Sequence, residues 1–347
     1  MGLWAARHAI RAGKRVLVLE KRRVGGGASG GFMGALMPHM PDRWNAKKQF
    51  QFQALSCFEA VIGELEADTG LACGYRRCGR LMPIRSESTF AEIDARIEGA
   101  RANWGGRFSM ERVEPGAMAG FGGWLDERHA PFGVQWDDLS ARIDPRACLA
   151  SLAAYVRENG ELLEGAQVAA IEPGRVRLAD GSQLSAGEIV VAAGWEAYEL
   201  LQPAMAVLTG GGPIGRGVKG QSVLLEFAHD DSGPILYADS VHVVPHAGGR
   251  VAVGSSTIED WQNGGFPLAE AVDPEDFAFH ERACDLAPAL AGAPVIERWA
   301  GVRPRNMLAP RSTDPWFGPV PGMAGVSARI GGFKIGLGIG HVETVSG

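Results

Sequence analysis

The chain has 347 residues, enough for one large core or two smaller ones, and its 46% hydrophobic and 21% charged residues are those of an ordinary globular protein. A formal net charge of −6 argues against a general polyanion-binding surface. No uninterrupted apolar stretch is long enough to span a bilayer, and Arg7, Arg11, Lys14, Arg15 and Glu20 leave no room for the apolar region of a secretory signal.

In chain order, Leu3, Ala6, Ala9 and Ile10 recur at helical spacing after Gly2, and Gly13 supplies a C-terminal stop. Val16 to Leu19 are four consecutive apolar residues, the pattern of a parallel strand covered on both faces. Glu20 ends that strand 18 residues beyond Gly2, where an acidic side chain can accept hydrogen bonds from the ribose hydroxyls of an adenosine. A solvated glutamate before a basic turn is the alternative at this point. Gly25-Gly26-Gly27-Ala28-Ser29-Gly30-Gly31 and then Gly34 follow. Small residues let a backbone approach a pyrophosphate, and N–H groups with the Ser29 hydroxyl can donate to it. A flexible linker would not lead into the apolar, proline-braced "FMGALMPHMP". The parts are those of a dinucleotide-binding βαβ unit from its helix onward, with Gly2 as the single glycine before the helix.

Residues 45–70 read as a helix ending at Gly70. Residues 71–140 mix short strands ("GYRRCGRLMPI") with a helix through Phe90–Ala102. Between Gly165 and Gly194, apolar residues alternate around turns at Pro173-Gly174 and Asp180-Gly181, a three-strand pattern. "QSVLLEF", "SVHVVPHAG" and "GRVAVGSST" read as strands of a largely antiparallel sheet, and residues 274–290 as a helix with Pro274 near its first turn. Cys57, Cys73, Cys78, Cys148 and Cys284 are scattered without metal-ligand spacing and read as structural thiols of a reducing compartment. The cytoplasm is the expected location, and no metal is expected.

"VLVLEKRRVGGGASGGFMGALMP" resembles the opening of the D-amino-acid-oxidase-like flavoprotein family, whose members include glycine oxidases, sarcosine oxidases and the flavin domain of a tRNA-wobble-uridine-modifying enzyme. "RIDPRACLASLAAYVRENG", "EIVVAAGWEAYELL", "VHVVPHAGGRVAVGSST", "RWAGVRPRNMLAPRSTDPWFGPVPG" and "GGFKIGLGIGH" are similar to later family segments in the same order, so the resemblance covers nearly the whole chain. In that family a central strand and two phosphate-binding glycines precede the helix at Gly2. The resemblance therefore implies a chain that begins about ten residues inside the unit, one strand plus its turn. It also implies a stop where a helix should begin at His341-Val342.

The implied fold is α/β: a Rossmann-like FAD-binding domain (residues 1–45, 141–215 and 300–347) interleaved with a mainly antiparallel substrate domain (46–140 and 216–299). The implied FAD-binding residues are Gly2, Glu20, Lys21, Ala28, Ser29, Gly30, Gly34, Val168, Ala193, Gly194, Trp195, Gly332, Phe333, Ile335 and Gly336. Arg303 in "GVRP" matches the family arginine that pairs with a substrate carboxylate, and its planar fork suits bidentate binding. Lys334 in "GGFKIG" matches a cationic position of sarcosine-oxidase-like members, and His242 stands where glycine-oxidase-like members often carry a tyrosine. A structural ion pair, a snorkelling lysine and a satisfied strand histidine are the alternatives. His39, Arg43 and Trp44 are further candidates for the mouth of the site.

Two departures qualify this. Ala252 stands where sarcosine oxidases carry an oxygen-activating lysine, which leaves oxygen or another electron acceptor open. "RNMLAPRSTD" lacks their flavin-linking cysteine, which implies non-covalent FAD. The expected function is oxidation of the C–N bond of a small amino acid or N-substituted glycine by hydride transfer to flavin. The alternatives are the flavin module of a tRNA carboxymethylaminomethyl-modifying enzyme, which the acidic charge disfavours, and a non-catalytic flavin-binding subunit.

Overall fold

The computed structural model describes residues 1–115, 117, 124–259, 271–273, 277–308 and 313–342. Its first part holds α1 (Gly2–Arg11), β1 (Leu17–Glu20), β2 (Ala35–Leu36), α2 (Ala46–Thr69), β3 (Arg76–Arg77), β4 (Arg80–Pro83), α3 (Glu87–Asn103), β5 (Met110–Val113), β6 (Val134–Asp137) and β7 (Ala141–Arg142). The middle holds α4 (Pro145–Asn159), β8 (Glu161–Glu164), β9 (Val168–Glu172), β10 (Arg175–Leu178), β11 (Gln183–Ser185), β12 (Ile189–Val191) and α5 (Ala197–Met205). The last part holds β13 (Gly215–Glu226), β14 (Ile235–Ala238), β15 (Val241–His246), β16 (Arg250–Gly254), α6 (Ala278–Leu286), β17 (Val295–Asn306), β18 (Trp316–Pro319), β19 (Val326–Ile330) and α7 (Gly336–Ile339).

Local chemistry fixes the helix ends. Asn45 caps α2 through Lys48 N, and Gly70, at φ 68°, closes it in the left-handed region that glycine enters without a Cβ penalty. Asp144 caps α4 by accepting from Arg146 N and Ala147 N, with Pro145 in the first turn. Helix α1 buries Trp4, Ala6 and Arg7 rather than a stripe of Leu3, Ala6, Ala9 and Ile10. Arg7 can be buried because Asp68 accepts from it at 2.6 Å and the Tyr155 ring lies 5.3 Å from its guanidinium carbon.

Parallel and antiparallel elements separate. β1 pairs in parallel with β8, and β12 in parallel with β19, which also takes β18. β1 is not covered on both faces: Leu17 is 39% exposed, and so are Leu163 on β8 (46%) and Val190 on β12 (46%). The apolar run reported strand propensity correctly, but a four-residue strand with one partner among the described residues has little to cover it.

An eight-stranded sheet of order β17-β13-β16-β15-β14-β4-β6-β5 carries most of the second region. Among the described residues its pairings are antiparallel except β14–β4, which is parallel. Strand side chains alternate between faces. One face (Val223, Leu225, Leu236, Val243, Val251 and Val253) packs on Phe279 and Ala283 of α6. The other (Leu224, Ile235, Val244 and Ala252) is roofed by Phe32, Met33, Ala35 and Met37 from the segment after the glycine loop. Registers carry this second face across the sheet, from Arg303 opposite Val218 to Gly254 opposite Ser222, His242 opposite Gly254, and Tyr237 opposite His242.

The helix expected over 274–290 is shorter. α6 ends at Leu286, a 3-10 turn at Pro288–Leu290 follows, and Pro274 lies outside the described residues. Near the C-terminus a helical turn stands at Gly336–Ile339, and the helix expected from His341-Val342 falls mostly outside the described residues. β17 runs through residue 300, so Arg303 sits in the eight-stranded sheet.

Candidate active site

The carboxyl ends of parallel strands, together with a helix N-terminus, form the usual binding crevice of an α/β sheet. Here they converge. A Cβ placed on Gly2 would lie 3.4 Å from Ala192, just past β12, and one on Gly332, just past β19, would lie 3.0 Å from Met1. Lys21, just past β1, pairs with Glu196 in the turn after β12 at 2.7 Å, and Arg22 reaches the same carboxylate at 3.3 Å. Glu20, Gly2, Ala193, Gly194, Trp195 and Gly332 are thereby gathered at one end of the parallel strands. Val168 stands two residues beyond Ala166, whose N–H donates to Glu20 O at 2.9 Å. Glu196 and Arg22 are polar contributors that a motif reading overlooked.

The glycine loop has the shape of a cradle. A 3-10 turn at Ala28–Gly30 bonds internally only through Gly30 N to Gly27 O, which leaves its leading N–H groups outside the turn. A Cβ on Gly30 would collide with the Gly25 carbonyl, and one on Gly31 would lie 3.1 Å from the Trp299 ring. Gly34, at φ 62°, is required differently, because a Cβ there would strike Ile143 O. It is a packing glycine for the chain crossing at β7. Free amides, exposed Ser29, and Glu20 at the far end of β1 fit a dinucleotide pyrophosphate and ribose. These residues would hold FAD.

The cationic residues lie beside the loop after β19. Arg303 Nη2 donates to Ser256 O at 2.7 Å and to Lys219 O at 3.4 Å, and Nη1 donates to Ser255 Oγ at 3.3 Å. Its Nε is buried without a partner. The expected open fork is therefore partly committed to the protein. Burial, and then the neighbouring Arg305, lower the Arg303 pKa to about 10. Lys334 is an exposed residue whose ammonium is nonetheless crowded; burial, then Arg303 and Arg305, lower its pKa to about 8. Because the residue keeps solvent contact, the two arginines are the sturdier cause. Phe333, itself at φ 38°, lies 5.4 Å from Arg303, 4.3 Å from Arg305 and 5.8 Å from Lys334. Arg305 has a carboxylate partner in Glu259, whereas Arg303 and Lys334 have none among the described residues. Ile335 and Gly336 close the loop, with Gly336 N donating to Gly332 O at 2.7 Å.

His242 is half-buried on the same sheet face. Its Nδ1 faces Gly254 O at 3.2 Å, and its ring lies 4.7 Å from Tyr237. Burial, then the Lys334 charge, lower its pKa to about 4, so it is neutral at physiological pH. Of the other candidates, Arg43 is a solvated side chain, 85% exposed, and Trp44 donates to Gln49 Oε1 at 3.0 Å while packing on Phe52. His39 is half-buried, with Nε2 unpartnered. Ala252 is fully buried in the apolar layer under the roof. The segment "RNMLAPRSTD" lies partly outside the described residues, at 309–312.

A dinucleotide-type crevice with a cationic cluster beside it fits a flavoprotein of the oxidoreductase class, and the family match shows that class. The family described as FAD dependent oxidoreductase matches residues 1–342, and the chain belongs to it. Glycine oxidase from Pseudomonas putida is 34% identical over 184 residues, 52% of this chain and 46% of that protein. Glycine oxidase from Pseudomonas aeruginosa is 25% identical across 97% of this chain and 88% of its own length. The crystal structure of glycine oxidase from Geobacillus kaustophilus superposes with a TM-score of 0.84 at 20% identity, covering 98% of this chain and 88% of that one. The chain is an FAD-dependent oxidoreductase. Among the described residues, no helix is long and apolar enough to cross a membrane, and no cluster of His, Cys, Asp and Glu could hold a metal.

Proposed function

We propose that this enzyme oxidises the C–N bond of a small amino acid or N-substituted glycine. The observation that carries the reading is the pair Arg303 and Lys334, two crowded cations without a carboxylate partner among the described residues. Two like charges in a partly desolvated pocket are relieved by an anion, and a carboxylate meets that need with charge-assisted hydrogen bonds. The two Pseudomonas relatives carry the name glycine oxidase, which supports the same substrate class.

Bound FAD supplies the hydride acceptor, so the protein's task is placement. Arg303 and Lys334 hold the carboxylate and thereby orient the α-carbon. Neutral His242 lines the same sheet face beside Tyr237 and offers an incoming ammonium no counter-charge, so the amine would give up its proton to solvent and bind as the free base. Oxygen or another acceptor then removes the electrons. The test is an anaerobic screen of the FAD-saturated protein for flavin bleaching. Amino acids and N-substituted glycines should bleach it, and their decarboxylated amines should not. Plain amines that bleach as readily as amino acids would dispose of the carboxylate anchor.

A further inference from the structure

We infer that Gly220 and Ser255 are positioning residues that seat the Arg303 guanidinium, and so set where the substrate carboxylate binds. This rests on the proposed role of Arg303 and extends it to residues that do not touch substrate.

Gly220 lies in β13 opposite Gly301 of β17, in the interior of the eight-stranded sheet. Two facing glycines weaken a strand interior and usually mark a close approach. Here the approach is visible. A Cβ on Gly220 would fall on Arg303 Nη2 and Cζ and lie 3.1 Å from Nε. The guanidinium thus lies flat over bare backbone. Its Nη2 protons are both taken, by Lys219 O and Ser256 O, and one Nη1 proton goes to Ser255 Oγ. A cation held by three acceptors has one position, which leaves the second Nη1–H for a ligand while Nε–H stays buried without a partner.

An alanine at 220 must displace something. Around Gly220, β13 is hydrogen-bonded to β17 on one side and, through Lys219 and Gln221, to Ile258 and Ser256 on the other, so its backbone cannot retreat. The guanidinium is the end of a flexible side chain, and it yields. The fold survives while the anchor moves. Losing the Ser255 hydroxyl removes one tether and leaves the seat open, so the effect is smaller.

The experiment uses FAD-saturated protein, with glycine as substrate and acetate as competing carboxylate. Gly220→Ala should raise the KM for glycine and the inhibition constant of acetate together, about tenfold or more, with the limiting flavin-reduction rate changed less than about threefold. Ser255→Ala should raise both constants about threefold, and Ser255→Thr should restore them. Unchanged KM and acetate inhibition in Gly220→Ala overturn the inference. If Gly220→Ala fails to bind FAD, the serine pair decides: an alanine variant indistinguishable from wild type overturns it, and loss rescued by threonine upholds it. Arg303→Met separates the two levels. A raised KM there with normal Gly220→Ala sinks only the seat. An unchanged KM there sinks the carboxylate anchor, and the seat with it.

Discussion

A simple carboxylate that competes with substrate should bind more weakly as the pH rises through about 8. The cause is Lys334, whose pKa is lowered to about 8 by burial and by Arg303 and Arg305. Its ammonium is present below that pH and lost above it, so the pocket loses one of its two unpaired cations on the alkaline side. Arg303 stays charged until about 10, so binding weakens there without vanishing. Since Lys334 is an exposed residue, its share of anion binding is that of a surface ion pair, about 1 kcal/mol or roughly fivefold in the inhibition constant. A bound anion must in turn raise the lysine pKa, so the midpoint measured in the complex should lie above that of the free protein. The assay follows the flavin spectral shift on acetate titration between pH 6.5 and 9.5, an order-of-magnitude window around the lysine midpoint. Lys334→Met should bind acetate about fivefold more weakly at pH 7 and lose this limb. A flat profile in wild type, or an unchanged limb in Lys334→Met, would show that the ammonium does not face the anion.

Arg303→Lys should raise the KM for an amino acid by about 2–3 kcal/mol, because a point charge cannot span the guanidinium's contacts; the lower part of the range for a desolvated pair applies, since one edge is already committed. Steady-state kinetics with an amino acid and its decarboxylated amine check this, and unaltered amino-acid turnover refutes it. Glu20→Gln should weaken FAD by roughly 1.5–3 kcal/mol through lost charge-assisted hydrogen bonds, measured by flavin fluorescence, with the reduction rate at full occupancy almost unchanged. Asp144→Ala removes the cap that accepts from Arg146 N at 3.0 Å and Ala147 N at 3.1 Å, and should cost about 0.5–2 kcal/mol in a denaturant titration.

The features legible in the sequence were those written in local chemistry. Glu20 at a strand end, the Gly25–Gly31 run, and glycines after β12 and β19 declare themselves by residue type and spacing. Arg303 and Lys334 were visible because each stands inside a short motif. What the sequence hid depends on partners far along the chain. Gly220 matters because Arg303, 83 residues later, lies across it. Arg7 is buried where alanine or leucine would be expected, because Asp68 and Tyr155 receive it. His242 was recognisable as a strand histidine, but its lowered pKa depends on burial and then on Lys334. The exposure of Leu17 shows the same limit from the other side, since a strand's propensity says nothing about how many neighbours it finds.

Arg303 and Lys334 are mounted on very different supports. Arg303 stands in the pairing of two 12-residue strands, β13 and β17, whose register runs from Gly215–Asn306 to Leu225–Val295. Such a ladder opens only with the sheet itself, so amides around Arg303 should exchange with solvent at the slow, global rate. Lys334 stands on a short loop before a four-residue helix, joined to β17 where Phe333 N donates to Pro304 O at 3.1 Å. In the proposed site one cation would therefore be cast into the frame and the other carried on a loop with far fewer bonds to it. Substrates of different bulk at the α-carbon would be accommodated by movement of the lysine side, while the carboxylate keeps its place against the arginine.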